Sequence, residues 1–125
     1  MAEERELIWI ATSREDLKTF PEEVKDVMGY ALHLAQVGEK HPDARPLKGF
    51  SPDGVFEVRD DHATDTYRVM YAVKLKTAIY VLHSFQKKSK RGVATPPKEM
   101  ELVRRRLADA RASDMERASH GGRNA

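Results

Sequence analysis

Arg68 stands inside the apolar run Thr66–Val73, and Lys87, Lys88, Lys90 and Arg91 leave the end of the next apolar run, Ala78–Phe85. Holding cations on or beside a rigid sheet costs solvation unless an anion is meant to arrive. A phosphodiester is the natural anion for such a cluster, since guanidinium offers it a planar fork and ammonium a point charge. Arg59 ends the run Val55–Arg59 and shares a strand face by alternation with Glu57 and with Arg68. His83 is the one histidine in a predicted strand, and a neutral imidazole there could pass protons near pH 7.

Each of these residues also has a plainer reading. Arg68 could pair with Glu57 or Asp60 on a neighbouring strand, and the lysines after Phe85 could simply solvate a loop. His83 falls by parity with Ile79, Val81 and Phe85, which is the pattern of a buried, hydrogen-bonded core histidine. Tyr67, Tyr71, Tyr80 and Phe85 could stack on bases, but at strand spacing they read more readily as core. The remaining histidines, His33, His41, His62 and His120, have no ligand spacing, so no metal site and no cofactor is expected.

The charge distribution points the same way. Residues 1–65 hold 8 Lys+Arg against 15 Asp+Glu, whereas residues 66–125 hold 14 against 5, behind a formal net charge of only +2. Such polarity favours an anionic partner for the second half, nucleic acid above all. The 125 residues suffice for one core, and the absence of cysteine removes disulfides and thiolate metal sites. No run approaches the roughly 20 apolar residues of a spanning helix, and the acidic start lacks a secretory h-region, so a cytoplasmic protein with no membrane partner is expected.

The elements that must position these side chains follow from periodicity. Leu7–Ala11 reads as a strand, and Ser13, three residues before Asp16, as the cap of a short helix. Pro21 can open a second helix, whose stripe Val24, Val27, Ala31, Leu34 and Ala35 ends at Gly38. His41–Asp53, rich in proline and glycine, reads as a loop. Three strands follow at Val55–Arg59, Thr66–Val73 and Ala78–Phe85, the last apolar on both faces as a central strand would be. Pro96 and Pro97 open a last helix with the stripe Met100, Val103, Leu107 and Ala110, and with Arg104, Arg105, Arg106 and Arg111 on its wet side. From about Ser113 periodicity fades, so residues 1–112 are expected to form one domain and 113–125 a flexible tail. The order β-α-α-β-β-β-α implies an α+β domain, with a small, mostly antiparallel sheet and helices laid on one face.

The succession WIATSREDLKTFPEEV, GYALHLAQVGEKHPDARPLKGF, GVFEVRD, TYRVMYAV and AIYVLHSFQKKSKRGVATPPKEM, covering about Ile8 to Leu107, resembles the RelE/HigB-like toxins of bacterial type II toxin–antitoxin systems. The likeness is to the phage-derived branch of the RelE/ParE superfamily. It implies a RelE-like fold and a hydrolase acting as an mRNA endoribonuclease, without metal and often on the ribosome, that inhibits translation. It also implies neutralisation by a cognate antitoxin, commonly a helix-turn-helix DNA-binding protein, so that operator DNA is met only through that partner. A ParE-type toxin that poisons gyrase, or a non-catalytic phage-derived binding protein, would share the same fold.

Carried over residue by residue, the resemblance implies that Arg68, in the tyrosine–arginine strand, binds the scissile phosphate. Lys88, and Lys87 beside it, match the basic site position after the last strand, and Arg59 matches a basic position of the second sheet strand. Lys90, Arg91 and Lys48 are expected to track the RNA backbone rather than react. The chain departs from the best-known members at Val55 and Glu57, where they carry lysines, so a carboxylate stands where a cation is usual. It could act as a base or repel the phosphate. A C-terminal tyrosine used by some relatives has no match, Thr95 being the nearest residue.

Overall fold

The computed structural model describes residues 4–88 and 95–123. Its elements are β1 (Glu6–Trp9), α1 (Ser13–Lys18), α2 (Glu22–Gln36), β2 (Ala44–Pro46), a 3-10 turn (Ser51–Asp53), β3 (Val55–His62), β4 (Asp65–Ala72), β5 (Ala78–Lys87) and α3 (Pro97–Arg123). The expected α+β order is present, with one short strand added inside the proline-rich loop.

The five strands lie in the order β1-β5-β4-β3-β2. β1 runs parallel to β5, and the other neighbours are antiparallel. β1 stops at Trp9 rather than Ala11, because Ala11 turns left-handed with φ of 50°. α2 ends as its stripe suggests: Gly38, at φ of 83°, lets the Glu39 amide donate back to the Leu34 carbonyl at 2.8 Å. Ser13 is the first helical residue instead of the cap, and its buried hydroxyl donates to the Val81 carbonyl at 3.2 Å.

Helices cover both faces of the sheet, not one. α2 presses Val24, Met28, Ala31 and Leu32 onto Val58, Val69, Tyr71, Ile79 and Val81. α3 presses Val103, Leu107 and Ala110 onto Met70, Ala72, Tyr80 and Leu82 on the opposite face. A strand apolar on both sides, such as β5, loses the free energy of burial on whichever side faces water, and that requirement draws α3 across. Two further expectations fail on α3. It continues to Arg123 where an irregular tail was expected from Ser113, and Arg106 is buried rather than on the wet side.

A bulge sets the site's parity. Met70 pairs with His83 while Tyr71 pairs with Val81, so Leu82 is the extra residue on β5. Beyond it, the side-chain alternation shifts by one. His83 and Phe85 therefore share the α3 face with Met70 and Arg68, not the α2 face with Ile79 and Val81 as simple counting implies.

Candidate functional site

Three cross-strand rows place the charged residues on the α3 face. Arg45, Glu57, Met70 and His83 form one row; Arg59, Arg68 and Phe85 the next; Asp61, Thr66 and Lys87 the third. Paired residues of a sheet point to the same side, so the rows form one charged surface around the N-terminal end of α3.

Arg68 sits at its centre and is 0% exposed. Its Nη1 donates to Thr95 Oγ1 at 3.1 Å and lies 3.8 Å from Glu57 Oε2. The Thr95 hydroxyl in turn donates to the same Glu57 oxygen at 3.0 Å. Glu57 Oε1 accepts from Arg59 Nε at 2.6 Å, so both oxygens of this buried carboxylate are held by cationic or hydroxyl partners. The Arg68 guanidinium also stands over the Phe85 ring, 5.8 Å from its centroid. Burial lowers the Arg68 pKa and Arg59 across the strand adds to this, while Glu57 opposes both. The pairing with Glu57 is the plainer reading made of Arg68; Asp60 pairs with Tyr67 and so points to the other face.

In front of this network opens a cavity of about 520 Å³. It is lined by Glu57, Arg59 and Thr95 of this network, by two more cations, Arg45 and Lys48, by Pro46, Leu47 and Met100, and by one further carboxylate, Asp43. The cations that face solvent are therefore Arg45, Lys48 and Arg59, whereas Arg68 lies behind Thr95 and Glu57.

The other sequence-derived candidates fall in different places. Lys87 shares the face of Arg68 one row further along, half-buried at the end of β5. Lys88 is exposed in the bend after that strand. Lys90 and Arg91 lie outside the described residues. Tyr67, Tyr71 and Tyr80 are core, with burial alone pushing the Tyr71 hydroxyl up to about 12.

His83 is buried and turned toward α3. Arg106 Nη1 lies 3.2 Å from His83 Nδ1 and donates to the Leu82 carbonyl at 3.1 Å. A guanidinium only donates, so Nδ1 carries the lone pair, and Nε2–H donates to Glu99 Oε1 at 2.7 Å. The chain Arg106–His83–Glu99 ties the first turns of α3 to the sheet and is not part of the cavity wall. Burial lowers the His83 pKa from its usual 6.5, outweighing the Glu99 contact that raises it. The folded state then binds fewer protons than the unfolded state just below that value. The stability present above pH 6.5 should therefore decline as pH falls toward the folded-state pKa. Urea unfolding between pH 8 and 5 checks this, and the same limb should flatten in His83→Gln.

Arg45 and Thr95 were not singled out as site residues by sequence reasoning. Arg45 lies within His41–Asp53, a proline-rich segment that reads as loop, so nothing in its local pattern assigns it to a strand. Thr95 precedes a proline pair that could only be read as the start of a helix.

The family model described as phage-derived protein Gp49-like (DUF891) matches residues 15–108. No curated protein and no solved structure matches the chain. The matched span runs from within α1 to Ala108 of α3 and includes every residue that lines the cavity. The chain belongs to the phage-derived Gp49-like family (DUF891), a family of RelE/ParE-like toxins of toxin–antitoxin systems.

Proposed function

We propose that this protein is the toxin of a type II toxin–antitoxin pair and acts as an mRNA endoribonuclease, in translation complexes of the cytoplasm. The observation that carries the reading is the cavity in which Arg45, Lys48 and Arg59 surround the carboxylate of Glu57, with Arg68 fixed behind it. Cleavage by attack of the ribose 2′-OH on the adjacent phosphate needs a proton acceptor and stabilisation of the phosphorane charge, the latter usually the larger effect. Arg59, with 40% of its side chain exposed, can bind the phosphate oxygens. Glu57 can take the 2′-OH proton, so that the neighbouring carboxylate assists attack instead of only repelling the strand. Water supplies the proton that leaves with the 5′-oxygen, and the products carry 2′,3′-cyclic phosphate and 5′-hydroxyl ends.

Neutralisation falls to a cognate antitoxin, a helix-turn-helix protein that alone contacts operator DNA. Among the described residues no helix is long and apolar enough to cross a membrane.

Inducible expression of the chain, with and without the adjacent reading frame, tests this. Growth arrest is expected from the chain alone, relief from the pair, and a loss of about 100-fold or more in transcript cleavage from Arg59→Ala. Broken DNA with intact transcripts would instead indicate a gyrase poison, and harmless expression a binding protein without chemistry.

A further inference from the structure

The cavity is larger and less uniform than a phosphate site requires. A sulfate-sized anion needs a few converging donors, whereas about 520 Å³ lies within the roughly 300–1,000 Å³ of sites that enclose a whole small molecule. Its lining is mixed in chemistry. Arg45 and Arg59 come from β2 and β3, flanking Glu57, with which Arg45 is in register. Beside them the lining includes Leu47, 4% exposed, and Met100, both of the apolar cluster on the α3 face. Met100 is partly buried against the α3 cluster, so its thioether stands at the cavity from a supported position. A polarisable thioether beside an aliphatic side chain suits the flat face of a heterocycle, and two guanidiniums suit its phosphate.

We propose that the cavity takes one unpaired nucleotide of the RNA whole, with its phosphate on Arg45 and Arg59 and its base against Leu47 and Met100. This rests on the ribonuclease reading but adds to it, since a strand passing over a basic surface would need no such compartment. It also gives Arg45 a role, as a binding residue for the nucleotide held beside the scissile bond. Single-stranded RNA is favoured over duplex, because only an unstacked base can leave its neighbours to enter a pocket.

The test uses the full chain with its methionine methyl groups labelled. Titration with adenosine 5′-monophosphate should shift the Met100 methyl resonance, and ribose 5-phosphate and inorganic phosphate should bind at least tenfold more weakly. Arg45→Ala should weaken the nucleotide at least tenfold, and Met100→Ala should bring the nucleotide and ribose 5-phosphate close to equal affinity. Equal binding of all three probes, an unmoved Met100 methyl, or no binding of any probe would overturn the proposal. The two readings fail separately. Cleavage of RNA without mononucleotide binding removes the compartment and keeps the nuclease, whereas binding without cleavage does the reverse.

Discussion

Arg68→Ala is expected to lower the unfolding free energy by about 3–5 kcal/mol, because it removes a fully buried guanidinium, leaving a void and taking from Glu57 Oε2 and Thr95 their buried cationic partner. Growth arrest should disappear with it, but loss of fold and loss of the support that Arg68 gives the cavity wall would then be confounded. A second variant separates them. Arg68→Met combined with Glu57→Gln removes both charges at nearly constant volume, and replacing a whole buried pair in this way is often neutral. Urea unfolding at neutral pH should find the double variant near the wild type and the single one far below it. If the folded double variant still arrests growth like the wild type, neither charge belongs to the chemistry. If Arg68→Ala costs under about 0.5 kcal/mol, the central network does not hold the site together.

Asp114→Ala should cost about 3 kcal/mol, the second large effect. The Asp114 carboxylate is 4% exposed and accepts from the Lys76 and Thr77 amides, each at 2.8 Å, and from the Thr77 hydroxyl at 2.6 Å. Tyr80 adds a longer contact at 3.3 Å. Truncation would leave two amides of the β4–β5 turn without that acceptor, a penalty comparable to losing the bonds themselves. Burial by itself would raise the Asp114 pKa, but the hydrogen bonds from Thr77 and the Lys76 and Thr77 amides outweigh it, and the net shift is downward from 3.8. A carboxyl whose folded pKa is depressed stabilises the fold above its unfolded pKa. That contribution is lost as pH falls below about 3.8 toward the folded value. Thermal melts from pH 7 to pH 3 should show a steep acid limb in the wild type and a shallower one in Asp114→Ala. Equal acid limbs in the two proteins would contradict the assignment.

Asp114 also shows why part of α3 was illegible. It falls four residues after Ala110, where the stripe Met100, Val103, Leu107, Ala110 calls for another apolar side chain, so a carboxylate reads as the end of the pattern. Its position is explained only by the β4–β5 turn, whose Lys76 and Thr77 amides lie 38 and 37 residues earlier in the chain. Arg106 misled for the same reason: its aliphatic stem packs while its fork finds the Leu82 carbonyl and His83, partners that no helical wheel contains.

The strands were far easier to read. Alternation in β3 and β4 put Glu57, Arg59, Arg68 and Met70 on one face, and the register agrees. In β5 the same counting succeeded as far as Val81 and then failed for His83 and Phe85, because a single-residue bulge leaves no mark in composition. The cavity needed two further facts that sequence does not carry. β2 pairs Arg45 with Glu57 at the sheet edge, and the residues before α3 bring Thr95 down over Arg68. Local periodicity finds faces; the meeting of a loop, an edge strand and a helix start is a property of packing.

The most direct measurement is end-mapping of a defined mRNA incubated with purified protein in a translating extract, comparing wild type with Arg59→Ala. New fragments bearing 5′-hydroxyl and 2′,3′-cyclic phosphate ends are expected with the wild type and should vanish with Arg59→Ala. Transcripts that stay intact while the wild-type protein still arrests growth, or fragments that persist unchanged in the folded variant, would contradict a ribonuclease built on this cavity.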